Sequence, residues 1–170
     1  MKPTSIPGGT GPDTSDLDRA KDAAYRFLTA RVRSEFEVRR KLKEKRFNDD
    51  TIALAIERLK ELKLLDDADF AICMTKDLVN LKGCGRYYIQ RKLKGKGIDP
   101  ETIEEAMESV FAEVDEVEVA GRLALRKIRI TIDDPKEKAR ISRFLQGRGF
   151  SWDIINEVFK GLDDRKRDQE

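Results

Sequence analysis

The chain contains no histidine. Ser-His-Asp and Cys-His catalysis, histidine metal sites and histidine pH switching are therefore excluded. Cysteine occurs only at Cys73 and Cys84, a spacing that matches no metal site, and the sequence leaves a disulfide between them open. No signal peptide precedes them, so the expected compartment is the reducing cytoplasm. No apolar run approaches the roughly 20 residues that a membrane helix needs. Proline and glycine are scarce, at 5 and 11, and several of them fall within the first dozen residues. A net charge of +2 rules out a global polycation.

What is present is charge in both signs and a hidden period. Charged residues make up 40% and hydrophobic residues 39% of the 170, the balance of helices with wet outer faces rather than of a thick dry core. Leu42, Leu93 and Leu145 stand 51 and 52 residues apart. Around each one the same apolar positions recur. Val38, Ile89 and Ile141 come four residues before. Phe47, Ile98 and Phe150 come five after, followed by Ile52, Ile103 and Ile155, then by Ile56, Met107 and Phe159, then by Leu59, Val110 and Leu162. A period near 50 identifies an array of one supersecondary unit. Stacked units of this kind are expected to form an elongated, curved body that binds macromolecules rather than enclosing an active site.

The expected fold is all-α, with three tandem three-helix repeats at 15–65, 66–113 and 114–162. Residues 1–14 read as a disordered segment and 163–170 as a charged tail. Predicted helices are Leu17–Arg31, Ser34 to Arg46 and Asn48 to Lys63; then Asp67–Lys82, Arg86–Gly95 and Asp99–Ala112; then Asp115–Arg129, Pro135–Gln146 and Ser151–Gly161. The β-branched run through Ile128 to Ile132 leaves a short strand open there. Ser34 and Glu37 have the spacing of a capping box. Asn48, Asp99 and Ser151 are equivalent N-caps, each flanked by the two residues of a hydrophobic staple. Gly97 and Gly149 suit a left-handed turn before the staple. Repeat one has Arg46 at that position, which predicts either a strained positive φ or a different turn there, each at a cost on the order of 1 kcal/mol relative to glycine.

Chemistry is concentrated on the second helix of each repeat. Arg40, Arg91 and Arg143 are equivalent, as are Lys45, Lys96 and Arg148. From Lys82 to Lys96 there are six basic residues and no acidic one, and from Asp99 to Glu118 nine acidic residues and no basic one. Such stripes can track phosphates. They can also steer a protein partner of alternating sign, or simply be solvated helix faces. Gly83-Cys84-Gly85 before a helix lacks the Lys-Ser/Thr of a nucleotide loop and reads as a helix–helix turn. Tyr87 and Tyr88 can stack on bases, but the simpler expectation is one ring packed inward and the other half exposed. Cys73 reads as a small core residue and Trp152 as a lid over the last repeat.

These residues together resemble the RecX family, bacterial regulators of the RecA recombinase. Arg33-Ser34-Glu35 with Glu37-Val38 and Arg39-Arg40-Lys41-Leu42 resembles the entry to the family's first repeat. Leu64-Leu65-Asp66-Asp67 with Phe70-Ala71 resembles its repeat junction, with Leu64 in place of the usual aromatic. Lys82-Gly83 with Arg86, Ile89, Leu93 and Lys96-Gly97-Ile98 resembles the second repeat. Gly149-Phe150-Ser151 with Ile154-Ile155 resembles the third. The resemblance implies a non-enzymatic protein without cofactor or metal that binds the RecA–DNA filament. It would inhibit the recombinase, ATPase and coprotease activities in DNA recombination, repair and the SOS response. Candidate contacts are Arg39, Arg40, Lys43, Arg86, Tyr87, Arg91, Lys94, Arg143 and Arg148. The alternative is a sequence-nonspecific helical protein that binds single- or double-stranded DNA. A monomer is expected.

Overall fold

The computed structural model describes residues 14–129 and 134–167. Among these residues there are nine α-helices and no strand, grouped in threes as the period requires. No helix among them is long and apolar enough to cross a membrane. Two compact units result, Met1–Asp66 and Asp67–Glu170. Repeat one forms the first, and repeats two and three share the second.

The first unit contains α1 (Thr14–Leu28), α2 (Glu35–Glu44) and α3 (Asp49–Glu61). Its core is built from Ala20 and Ala24 on α1, Val38 and Leu42 on α2, and Ile52, Ala55, Ile56 and Leu59 on α3. Small side chains at Ala20, Ala24 and Ala55 let α1 and α3 approach closely, and these two helices form the unit's main packing contact. The predicted capping box is present: Glu37 N–H donates to Ser34 Oγ at 3.3 Å, and Ser34 N–H donates to Glu37 Oε2 at 3.4 Å. The Glu37 carboxylate is buried but paired with Arg31 at 2.8 Å, which offsets the cost of taking it out of water.

The second unit contains α4 (Asp67–Asn80), α5 (Arg86–Lys94), α6 (Pro100–Phe111), α7 (Glu116–Leu125), α8 (Pro135–Gly147) and α9 (Trp152–Arg167). One continuous core runs through both of its repeats. Within each, the first helix again packs mainly on the third, α4 on α6 and α7 on α9. Ala71 and Ala106 stand 51 residues after Ala20 and Ala55, and Ala120 and Ala124 are the small buried residues of α7.

The turn after the second helix has the same construction three times. Phe47, Ile98 and Phe150 N–H donate to the carbonyls of Leu42, Leu93 and Leu145 at 3.3, 3.3 and 3.2 Å. One residue earlier, Arg46, Gly97 and Gly149 N–H donate to Lys43, Lys94 and Gln146 at 2.8, 3.1 and 2.9 Å. This is the Schellman pattern, which requires a left-handed residue at its centre. Gly97 and Gly149 supply it at φ 77° and 87°, and Arg46 adopts φ 65° as expected for its place in the register. Two residues past the left-handed position comes the cap of the third helix: Asn48, Asp99 and Ser151 side chains accept from Thr51, Thr102 and Ile154 N–H at 2.7, 2.9 and 3.3 Å. Lys63, at φ 53°, ends α3 by the same device, with Leu64 N–H on the Leu59 carbonyl at 2.9 Å.

Several expectations need correction. α1 begins at Thr14, inside the stretch read as disordered, and ends at Leu28. α7 stops at Leu125 rather than Arg129. The N–H of Arg129 leaves the helix ladder and donates to Glu137 Oε1 at 2.7 Å, while Arg140 donates to the Lys127 carbonyl. The strand considered around Ile130 to Ile132 lies outside the described residues. α9 continues to Arg167, past Gly161, so the first part of the charged stretch is helical. Cys73 is exposed: α4 buries Phe70, Ala71, Thr75, Leu78 and Val79, and Cys73 falls off that face. Trp152 is 55% exposed at the start of α9, and Phe150 and Ile155 close the core instead.

Repeats two and three meet backbone to backbone. Gly85 N–H donates to the Arg148 carbonyl at 2.9 Å and Tyr87 N–H to the Gly149 carbonyl at 3.1 Å. A Cβ on Gly85 would lie 2.6 Å from the Gly149 oxygen, and one on Gly149 would lie 2.2 Å from the Tyr88 nitrogen. Gly149 is therefore fixed twice, by its positive φ and by this approach.

Three predictions follow from these contacts. Arg46→Gly should stabilise the protein by about 0.5–1 kcal/mol in urea unfolding, because the relieved left-handed strain exceeds the entropy that glycine returns to the unfolded chain. Gly149→Ala should cost about 2 kcal/mol or more in the same measurement, since strain and clash add. The third concerns acid. Hydrogen bonds from Arg140, then from Arg129 N–H, hold the buried Glu137 carboxyl down from 4.5 to about 2. Its stabilising contribution is complete above pH 4.5 and is lost as pH falls towards 2. Glu137→Gln should therefore be less stable than the parent at pH 7, with the difference closing across that window.

Candidate partner-binding face

The second helices α2, α5 and α8 each bury one apolar stripe through Val38 and Leu42, Ile89 and Leu93, or Ile141 and Leu145. The helical period turns the intervening basic residues away from that core. The structure then divides the nine candidate residues into two sets.

The first set is tied into the fold. Arg39 donates to Glu35 at 2.8 Å, and Lys60 reaches the same carboxylate, so the three charges join α2 to α3. Burial pushes the Glu35 carboxyl up, but the bonds from Lys60 and Arg39 outweigh it and hold it below the usual glutamate range. Arg86 pairs with Glu116 at 3.2 Å and lies over the Phe111 ring at 4.1 Å. Arg148 donates to the Lys82 carbonyl at 2.5 Å and lies over Phe144 at 5.5 Å. Arg86 and Arg148 thus serve the joint between repeats two and three.

The second set faces solvent. Arg40 and Lys43 are exposed on α2, in solvent-exposed pairs with Glu44 at 3.8 Å and Asp49 at 3.1 Å. Pairs of this kind contribute little and exchange readily for a partner's charges. Arg91 lies 5.6 Å from the Tyr88 ring centre, and Lys94 is exposed at the end of α5; among the described residues neither has an ion pair. Arg143 is exposed on α8, also without an ion pair among the described residues. Tyr87 is 65% exposed, while Tyr88 is half-buried against the core.

The Gly83-Cys84-Gly85 loop offers no anion site. The free N–H groups at the start of α5 are already taken: Gly85 by Arg148, Tyr87 by Gly149, and Arg86 by Glu116 Oε1 at 3.2 Å. A phosphate would have to displace two backbone carbonyls and a carboxylate. Cys84 in this loop is buried, and burial pushes its thiol up despite the nearby Arg148, Lys82 and Lys92.

One exposed residue escaped the sequence reading. Phe36 is 45% exposed on α2, four residues before Arg40. It stands 51 residues before Tyr87, so the repeat register alone identifies it as Tyr87's counterpart.

Comparison with known proteins places this architecture. Three family models match in chain order: the first, second and third three-helix domains of RecX, over residues 20–59, 66–107 and 113–159. The regulatory protein RecX of Chlorobaculum tepidum is 35% identical over 149 residues, covering 87% of this chain and 91% of that protein. That of Clostridium botulinum is 36% identical over 84% of this chain and 68% of its own length. Among solved structures, the crystal structure of RecX from Lactobacillus salivarius superposes with a TM-score of 0.80 at 28% identity, over 89% of this chain and 99% of that one. With three helical domains matched in order and relatives aligned over most of their length, the chain belongs to the RecX family of regulatory proteins.

Proposed function

We propose that this protein is a non-enzymatic regulator that binds the RecA nucleoprotein filament and inhibits its recombinase, ATPase and coprotease activities. Family membership supports a regulatory role. The observation that carries the choice of face is the recurrence of solvent-facing cations at one register position, Arg40, Arg91 and Arg143, on the second helix of every repeat. A repeating set of contacts suits a partner that is itself a repeating polymer. Each contact can be weak and the sum still tight, because after the first the others form at high effective concentration. Lys43 adds to the exposed face of α2, and Lys94 and Tyr87 add to that of α5.

The test is RecA's ATP hydrolysis on single-stranded DNA as the protein is titrated in, with an anisotropy titration on the same DNA without recombinase. Hydrolysis should fall at protein concentrations that leave naked DNA largely unbound. The double variant Arg40→Glu, Arg91→Glu should raise the half-inhibiting concentration by about tenfold or more, equivalent to about 1.4 kcal/mol of binding. Inhibition that appears only where the DNA is already coated, with a steep salt dependence, would support the DNA-binding reading instead.

A further inference from the structure

On the register of the key leucines, α2 and α5 carry the same outward stripe. Phe36, Arg40 and Lys43 lie six and two residues before Leu42 and one after it; Tyr87, Arg91 and Lys94 hold the same places around Leu93. Spacings of four and then three residues put each trio on one helix face. All six side chains are solvent-exposed, the two rings at 45% and 65%. In the third repeat the same positions hold Ala139, Arg143 and Gln146, so only the arginine remains.

We propose, building on the filament reading above, that Phe36–Arg40–Lys43 and Tyr87–Arg91–Lys94 are two copies of one docking element for a protein surface that offers an apolar pocket edged by carboxylates. An isolated exposed aromatic needs no explanation. A ring left in water twice, at one register position, each time one turn before an arginine, is a pattern. A large apolar anchor beside arginine is also the composition that dominates protein–protein hot spots. The charge of the occupant follows from α5, which has four basic residues and no acidic one. A protein occupant is favoured over nucleic acid by α2. There the two cations lie beside Glu44 and Asp49. A continuous phosphate track would meet those acids along its length, whereas a protein surface can set carboxylates against Arg40 and Lys43 and donors against the acids. Two cations per element also make a short phosphate track. The first two repeats thus carry the anchors, and the third adds a single cation.

The experiment uses the full chain with Phe36→Ala, Tyr87→Ala, the double variant and Trp152→Ala. The last removes an exposed aromatic outside the element. Phe36→Gln with Tyr87→Gln is a second, more soluble double variant, and thermal melts establish that each is folded. Binding is read by anisotropy against RecA filaments on single-stranded DNA, and against the same DNA naked. Each single alanine variant should weaken filament binding by about tenfold and each double by about a hundredfold, while Trp152→Ala stays within about twofold. Naked-DNA binding should not change. Unchanged filament binding by a folded double variant overturns the proposal. So does a parallel loss on naked DNA, which would mean that the rings stack on bases. Failure of the parent protein to bind filaments would sink the functional reading itself, and it is told apart because it appears before any substitution is made.

Discussion

Each repeat is organised by one leucine used in two ways. The side chains of Leu42, Leu93 and Leu145 are fully buried, and their carbonyls accept the N–H of the apolar residue that opens the next helix. Side chain and carbonyl together fix where the second helix stops, the direction in which the chain leaves it, and which residue becomes the staple. A third helix so aimed returns against the first, where alanines admit it closely. The basic face is a by-product of the same constraint. Once the leucine is pinned inward, residues two before and one after it must point to water.

The three copies pay differently for that turn. Repeats two and three use glycine, and repeat one holds an arginine in the left-handed region. In the third repeat the turn has a second duty, because the carbonyls on either side of its joint receive the N–H groups of α5. Glu116 completes that cap and also holds Arg86. Two arginines expected at a binding face are thereby drawn into the joint.

Most of the helical framework was legible because it rests on short-range rules. A cap residue, a staple pair and a left-handed position each involve neighbours within one turn or two, and the register showed them three times. Arg46 was readable for that reason. Lys63 was not, because no repeated glycine marks its position. The end of α7 was also hidden: it depends on Glu137 capturing Arg129 N–H across a gap of eight residues. The candidate face was legible in register but not in use. Sequence gave Arg86 and Arg148 the same standing as Arg91, and only the tertiary contacts to Glu116 and Lys82 separate them. Phe36 carries no charge to mark it, and only its exposure together with the register of Tyr87 sets it apart from a core phenylalanine.

The mutual approach of Gly85 and Gly149 has an evolutionary side. Duplicating or exchanging a repeat would bring a second-helix N-terminus against a turn with no room for it unless both glycines travelled along. Repeat two also leaves its N–H groups and part of its core for repeat three to cover. A message cut short between α6 and α7 would therefore encode one finished unit followed by an unfinished one. Such a product is a natural target for proteolysis, and the array resists being shortened in a way that its modular sequence does not announce.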